Sequence, residues 1–243
     1  MEPPRIVVLI SADIEWQVIR NLIKDCDIST SPYGEWMETR CNINAVDQSI
    51  IFFHGGWGKI ASAGSTQYVI DRWAPDLLIN IGTCGGFENK ISKGTIVLVN
   101  KTIVYDILEQ MGDPFESISH YTTSLDLSWT NYDYPQEVVE TLLVSGDRDL
   151  VPEEIPYLTE EFGAVAGDWE SGAIAYIAAR NGTKCLILRG VTDIVGTSGG
   201  EAYDDIEVFV EATRDVLERL IKALPDWLAL FNNAGDASSI INH

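Results

Sequence analysis

Short runs of aliphatic residues alternate along the chain with longer segments in which apolar residues recur every three or four positions. The first run, residues 5–11, predicts a buried strand, and residues 13–25 have the period of an amphipathic helix. The same alternation continues to a long amphipathic segment at residues 204–231. It favours an α/β fold, with a central parallel or mixed sheet covered by helices.

The other predicted elements follow the same order. Strands are predicted at residues 41–55 (two strands around Asp47 and Gln48), 76–86, 94–106 (one strand or a pair), 137–147, 163–168 and 183–193. Helices are predicted at residues 59–73 and 152–162 and within the stretch 167–182, into which the strand at 163–168 leads, and the helix at 204–231 should be interrupted near Pro225. Residues 107–136 follow neither period, which is typical of a lid or an interface segment.

Composition and charge narrow the class of protein. We expect a single domain over residues 1–243, with a flexible polar tail from about residue 232. The chain has 37 acidic and 16 basic residues, and the basic ones are scattered, so no nucleic-acid partner is expected. No signal-peptide pattern and no apolar run near the roughly 20 residues of a membrane span are present, so we expect a cytoplasmic protein without membrane contact.

Polar residues near the ends of the predicted strands point to one cleft, because ligands of open α/β sheets bind beside the carboxyl ends of the strands. Glu15 follows the first strand, Thr83 lies among the last five residues of the strand at 76–86, and Glu170 follows the strand at 163–168. Arg189 and Asp193 lie in the strand at 183–193. Paired carboxylates with few histidines favour acid-assisted cleavage of a glycosidic bond.

Structural roles compete with these functional ones. Asp168 and Glu170 stand at the start of a helix, where carboxylates cap the backbone and interact favourably with the helix dipole. Capping is sufficient to explain Asp168, whereas the small residues after Glu170 allow a ligand or another backbone to approach. Arg189 in an apolar strand must be paired or face a ligand, with Glu15 or Glu170 as its predicted partner. A buried salt bridge without chemistry is the alternative for Arg189.

Five segments occur in the order and spacing of the purine nucleoside phosphorylase and uridine phosphorylase superfamily. They are GGWGKIASAG, LLINIGTCGGF, VSGD, GDWESGAIAYIA and LILRGVTDIVG. Residues 5–222 resemble that superfamily, and within it most of all the 5′-methylthioadenosine/S-adenosylhomocysteine nucleosidases. The resemblance implies a three-layer α/β/α sandwich with a central mixed sheet, a homodimer, and hydrolysis of a purine N-glycosidic bond without metal or organic cofactor.

The resemblance also implies a role for each site residue. Asp193 holds or donates a proton at purine N7, so that the base leaves neutral while the ribose becomes oxocarbenium-like. Glu170 binds the ribose 2′- and 3′-hydroxyls, and Arg189 orients the acid that handles the attacking water. The other implied contacts are Thr83 beside the sugar or the water, Trp169 against the sugar, Asp149 and the backbone of Leu150 at the base, and Tyr203 over the 5′ substituent.

Three positions depart from the family pattern. Glu15 is the candidate for activating the water, but an ungapped alignment places Trp16 in that position. Asp149 stands where the family often has an aromatic residue that stacks on the purine, and Trp169 replaces a methionine. The 5′ substituent of the substrate is therefore left unassigned.

Two other functions remain open at this point. Phosphorolysis uses the same fold, but Asp13 and Glu15 follow the first strand where bacterial phosphorylases carry an arginine for phosphate, and like charges repel. Water is therefore the favoured nucleophile. The second alternative is a nucleoside-binding protein that has lost turnover, and the presence of both Glu170 and Asp193 argues against it.

Overall fold

A computed structural model describes residues 5–196, 199–201 and 206–240 of the chain. The strands are β1 (Ile6–Ile10), β2 (Ser29–Ser31), β3 (Gly34–Ile43), β4 (Val46–His54), β5 (Leu77–Phe87), β6 (Ile96–Val104), β7 (Thr123–Ser124), β8 (Val139–Ser145), β9 (Ala166–Asp168), β10 (Cys185–Gly196) and β11 (Gly199–Gly200). The helices are α1 (Asp13–Leu22), α2 (Gly58–Trp73), α3 (Pro114–Tyr121), α4 (Ile155–Phe162), α5 (Ser171–Arg180) and α6 (Ile206–Ile240). Single 3₁₀ turns lie at Ser128–Thr130 and Pro152–Glu154.

Two hydrophobic layers cover the two faces of the sheet. The side chains of β1 alternate between them: Ile6, Val8 and Ile10 pack in a cluster with apolar residues of α1 and α6, whereas Val7 and Leu9 pack with those of α2 and α5. A strand that is buried on both faces reads as a continuous apolar run, which is the pattern at residues 5–11. The predicted three-layer α/β/α sandwich with a mixed sheet is confirmed.

β5 is the branching strand of this sheet. Its first half pairs in parallel with both β1 and β10, and its last residues pair antiparallel with β9. β10 continues to β6, β6 to β8, and β8 to β9, so that five strands close into a ring. The closure brings the ends of β5, β9 and β10 together, although these strands lie far apart in sequence.

The structure corrects three details of the sequence prediction. The β3–β4 hairpin turns at Asn44 and Ala45, both with positive φ, three residues before the predicted turn. Helix α6 continues through Pro225 and on to Ile240, where we expected an interruption and an irregular polar tail. Buried apolar residues on both sides of Pro225 pack in the core and offset the roughly 3 kcal/mol that an interior proline costs.

The segment at residues 107–136 is not structureless. It contains α3, β7 and a 3₁₀ turn, and Trp129 in that turn is buried against α6. Across the described ranges, no helix has both the length and the apolar character needed to cross a membrane.

Candidate active site

A cavity of about 340 Å³ opens where the ends of β5, β9 and β10 meet. Seven of the predicted site residues line it: Glu15, Thr83, Asp149, Leu150, Trp169, Glu170 and Asp193. Arg189 lies behind the cavity wall with no exposed surface. Tyr203 lies outside the described residues.

Arg189 is the positive centre of the buried charges. Its Nη2 lies 2.9 Å from Asp168 Oδ2 and 3.6 Å from Glu170 Oε2, and its Nη1 lies 3.9 Å from Glu15 Oε1. The guanidinium also donates hydrogen bonds to the Ser171 hydroxyl at 3.0 Å and to Asn80 Oδ1 at 2.8 Å. Both predicted partners are within 4 Å, but the closest carboxylate is one that the sequence prediction did not name.

Asp168 therefore has a larger role than the predicted cap. It does accept a hydrogen bond from the backbone N–H of Ser171, the first residue of α5, at 3.1 Å, although the N-cap position itself is Glu170. It also accepts one from the Ser145 hydroxyl at 2.6 Å and forms the shortest ion pair to Arg189. The side chain is buried at the end of β9, so its two oxygens organise a junction between β8, α5 and β10.

The guanidinium group occupies space that only a glycine leaves open. A Cβ at Gly82 of β5 would lie 2.1 Å from Arg189 Nη1 and 2.8 Å from Glu15 Oε1. Both side chains are buried and held by hydrogen bonds, Arg189 to Ser171 and Asn80 and Glu15 to Thr83, so they cannot move aside cheaply. Gly82 is therefore part of the site.

Glu15, not Trp16, faces the cavity. Glu15 Oε1 accepts hydrogen bonds from the backbone N–H of Thr83 at 2.7 Å and from its hydroxyl at 2.9 Å, while Oε2 accepts one from Ala12 N–H at 3.1 Å. Trp16 follows by one residue and points into the core, where its indole N–H donates to Glu35. Successive helical residues are about 100° apart around the axis, so the two cannot share a face.

Glu170 is buried next to the start of α2. Its Oε1 accepts a hydrogen bond from Gly58 N–H at 3.1 Å, and the residue is only 7% exposed. Burial raises the pKa of the Glu170 carboxyl to about 8; Arg189 opposes the shift, and the nearby Asp168 and Glu15 add to it. The group therefore keeps its proton through much of the neutral range when the cavity holds no ligand.

Asp193 enters the cavity through a bulge in β10. The register with β5 shifts between Val191 and Asp193, so Thr192 is an extra residue and the alternation of faces is broken. As a result both Thr192 and Asp193 line the cavity. Burial raises the pKa of Asp193, against the hydroxyl of Thr192, which lies 3.3 Å from Oδ1. A carboxyl group in this environment can carry a proton to deliver.

The loop after β8 forms another part of the wall. Leu150 packs against β5 and β9, and a Cβ at either Gly85 or Gly167 would come within 3.0 Å of its side chain. Asp147, in the same loop, accepts a hydrogen bond from the backbone N–H of Lys59 at 2.6 Å. The start of α2 and this loop are thereby held together.

Sequence reasoning missed two aromatic residues of the cavity, Trp57 and Phe209. Trp57 immediately precedes α2 and makes an edge-to-face contact with Trp169, with ring centroids 5.6 Å apart. Its signal in the sequence was a large residue between two glycines at a helix start, within the segment GGWGKIASAG that carries the family resemblance. Within the described part of the chain, no cluster of three or more His, Cys, Asp or Glu residues is arranged to hold a metal ion.

Known proteins resemble this chain in sequence and in fold. The family model described as the phosphorylase superfamily matches residues 40–225. The 5′-methylthioadenosine/S-adenosylhomocysteine nucleosidase of Bacillus pumilus is 25% identical over 240 residues, covering 90% of this chain and 98% of that protein. The chain also resembles the solved structure of the Neisseria meningitidis nucleosidase of that name in complex with methylthio-immucillin-A, with a TM-score of 0.71 and 19% identity over 93% of this chain and 99% of the other. A futalosine hydrolase mutant of Helicobacter pylori has a TM-score of 0.72 and 17% identity, over 92% of this chain and 99% of the other.

Proposed function

Because the chain belongs to the phosphorylase superfamily, whose model matches residues 40–225, we propose that it is a purine nucleosidase. It hydrolyses the N-glycosidic bond of nucleosides of the 5′-methylthioadenosine/S-adenosylhomocysteine type, and water is the nucleophile. Relatives with that activity in their names align over most of the chain, which supports the proposal. The observation that carries it is the presence, in one cavity, of Asp193, whose pKa is raised by burial, and of Glu15, which accepts hydrogen bonds from Thr83 and Ala12.

Departure of the base is assigned to Asp193. Its buried carboxyl holds a proton more readily than an ordinary aspartate, because burial disfavours the charged form. Delivering that proton to purine N7 as the C–N bond lengthens lets the base leave without negative charge. General acid catalysis of this kind contributes about 10²- to 10⁴-fold to a rate.

Stabilisation of the sugar is assigned to Glu170. When a nucleoside binds, the two ribose hydroxyls donate hydrogen bonds to the carboxyl group, and such bonds favour the ionised form. The carboxylate then lies beside a ribose that gains positive charge in the transition state, where its attraction is stronger than in the bound substrate. The Gly58 N–H, which already donates to Oε1, holds the group in place.

Activation of water is assigned to Glu15. Three protein donors fix its carboxylate, two from Thr83 and one from Ala12, and Arg189 lies 3.9 Å away. A water that donates a hydrogen bond to Glu15 is oriented toward the sugar and transfers its proton as it attacks. Thr83, which contacts Glu15 directly, helps to place this water.

The charges of the cavity favour water over phosphate. None of the described residues that line it is a lysine, an arginine or a histidine, whereas five are acidic. The nearby cation, Arg189, is shared by three carboxyl groups and is fully buried. A phosphate dianion would therefore lose its hydration and find no basic residue among these lining residues to compensate its charge, which opposes phosphorolysis.

We also propose that the chain forms one domain, as its length and composition indicate, and that it acts in the cytoplasm. The sequence resemblance adds the proposal that it is a homodimer. Support for an interface comes from Ile60, which is 89% exposed beside an apolar pocket lined by Ile107 and Tyr176. Light scattering of the purified protein tests the dimer. The measured mass should be twice that of one chain.

The decisive experiment measures release of adenine from 5′-methylthioadenosine in phosphate-free buffer. Release without phosphate, at a rate that added phosphate does not raise, supports the nucleosidase. Strict dependence on phosphate, with formation of a sugar 1-phosphate, points instead to a phosphorylase. Measurable binding of nucleosides without cleavage in either buffer points to a binding protein.

A further inference from the structure

A partly buried ion pair joins three segments of the chain just outside the cavity. Lys59, the second residue of α2, pairs through its ammonium group with Asp106, which follows β6. The same Nζ lies 3.8 Å from Asp147 Oδ2, in the loop after β8. The side chains of Lys59 and Asp106 are only 17% and 15% exposed, so salt screens their attraction less than that of an exposed pair. We call these three residues the Lys59 bridge.

Backbone hydrogen bonds connect the Lys59 bridge to the proposed sugar site. The N–H of Asp147 donates to Asp106 Oδ2 at 2.9 Å, and the N–H of Lys59 donates to Asp147 Oδ1 at 2.6 Å. The preceding residue, Gly58, donates its N–H to Glu170 Oε1 at 3.1 Å. The first turn of α2 therefore contacts both the loop after β8 and the carboxyl group that we assign to the ribose.

The loop after β8 also carries part of the cavity wall. Leu150 lies three residues after Asp147 and lines the cavity. Its side chain is close to β5 and β9, since a Cβ at Gly85 or Gly167 would lie 3.0 Å from it. At the other end of the loop, a Cβ at Gly58 would lie 3.2 Å from Asp147 Oδ1. The loop is in close contact at both ends, so a shift of Asp147 changes the position of the wall.

Charge explains why a lysine is needed in the Lys59 bridge. Asp106 and Asp147 share the ammonium group of Lys59, and across the described residues no other basic side chain forms an ion pair with either carboxylate. Without that cation the two carboxylates repel each other, and the repulsion acts directly on the loop after β8. None of the three side chains lines the cavity, so an effect on the substrate passes through this loop and the start of α2.

We propose that Lys59 is a positioning residue, whose ammonium group sets the distance between the start of α2 and the loop after β8, and with it the width of the cavity between Glu170 and Leu150. The inference rests on the proposed function, in that Glu170 holds the sugar and the loop contacts the base. The nucleoside then lies between two walls that a cation outside the cavity keeps at a fixed separation.

Amide hydrogen exchange of the ligand-free protein tests the Lys59 bridge itself. Lys59→Met removes the charge and keeps an unbranched side chain, so the amides of residues 58–59 and 147–150 should exchange at least about fivefold faster than in wild type. Lys59→Arg retains a cation and should exchange like the wild type. Arg40→Met is the matched control, because it breaks the exposed ion pair to Asp47 and should leave both segments unchanged. Unchanged exchange in Lys59→Met would overturn the proposal.

Steady-state kinetics with 5′-methylthioadenosine tests the effect on the site. Lys59→Met should raise KM about tenfold and lower kcat less than about threefold, since a displaced wall weakens the binding of substrate and transition state alike. Glu170 lies within 3.6 Å of Arg189, which keeps its carboxyl group in the cavity. Lys59→Arg should restore most of the wild-type KM. Asp106→Asn, added to Lys59→Met, should restore part of it by removing one of the two repelling charges.

The kinetic results separate positioning from stability. Faster exchange in Lys59→Met with an unchanged KM would limit Lys59 to stability, and an equal KM defect in Lys59→Arg would contradict the role of its charge. If the wild type binds 5′-methylthioadenosine in titration calorimetry but cleaves no nucleoside, the proposed function fails and Kd replaces KM. Weaker binding in Lys59→Met that Lys59→Arg restores then supports the inference, and equal binding contradicts it. A wild type that neither cleaves nor binds the nucleoside contradicts both proposals.

Discussion

Arg189 Nη2 lies 2.9 Å from Asp168 Oδ2, and both side chains are buried. The pair joins β9 to β10, two strands that do not pair with each other but close the same ring of strands. Glu15 and Glu170 lie within 4 Å of the same guanidinium, so the charge that supports the fold also sets the electrostatics of the cavity.

Removing the charge of Asp168 should destabilise the protein strongly. Asp168→Asn leaves Arg189 buried with its nearest compensating charge gone, and the expected loss in free energy of unfolding is about 3 kcal/mol or more. Urea unfolding measures it. The control is Asp47→Asn, which breaks the exposed ion pair to Arg40 and should cost at most about 1 kcal/mol. Similar losses in the two variants would contradict the central role of Asp168.

Asp193→Asn should lower kcat by about 10²- to 10⁴-fold, because the amide cannot deliver a proton to the base. Binding of the nucleoside should change much less, since the side chain keeps its size and place in the bulge of β10. Single-turnover release of adenine separates the two effects. Asp27→Asn, at an exposed position, provides the control. Near-normal turnover in Asp193→Asn would show that Asp193 is not the general acid.

Glu15→Gln should lower kcat with little effect on nucleoside binding. The amide retains an acceptor for Thr83 but cannot take a proton from water. The neighbouring variant Trp16→Phe alters a core residue that does not line the cavity, so it should reduce the free energy of unfolding while turnover per folded molecule persists. Loss of catalysis in Trp16→Phe and its retention in Glu15→Gln would reverse the assignment.

Glu170 should make stability depend on pH with a definite sign. Its pKa rises from an ordinary value of 4.5 to about 8 in the folded protein, so between these values the folded state keeps a proton that the unfolded state has lost. The contribution of Glu170 to the free energy of unfolding therefore falls as pH rises through this window, by at most about 1.4 kcal/mol per pH unit.

Replacing Glu170 with Gln removes this contribution. The stability of Glu170→Gln relative to wild type should therefore increase between pH 5 and pH 8, roughly along that slope. Urea unfolding at four pH values measures the difference. Glu160→Gln, on an exposed part of α4, is the matched control. If the stability difference between Glu170→Gln and wild type stays constant with pH, burial does not shift the pKa of Glu170.

The sequence predicted those site residues whose position follows from the local pattern of strands. Glu170, Thr83 and Asp193 could be found because each lies near the end of an apolar strand, where the carboxyl ends of a sheet meet. The strands themselves were recognisable because burial on both faces leaves a continuous apolar run, as in β1 and β5.

The missed features depend on contacts between distant segments. The pairing of Asp168 with Arg189 follows from the closure of five strands into a ring, which no local pattern encodes. The turn at Asn44 and Ala45 places an alanine at a positive φ of 65°, and alanine carries no turn signal. Pro225 marks a helix end by local rules, yet packing on both sides keeps α6 continuous.

The glycine at position 82 limits how this site can change over generations. Any side chain there would overlap the guanidinium of Arg189, so a mutation at position 82 is tolerated only after position 189 has lost its arginine. Losing that arginine first leaves three buried carboxyl groups without a counter-charge, which is costly by itself. Positions 82 and 189 therefore constrain each other. Descendants of this sequence should keep both Gly82 and Arg189, or replace both together with the acidic residues around them.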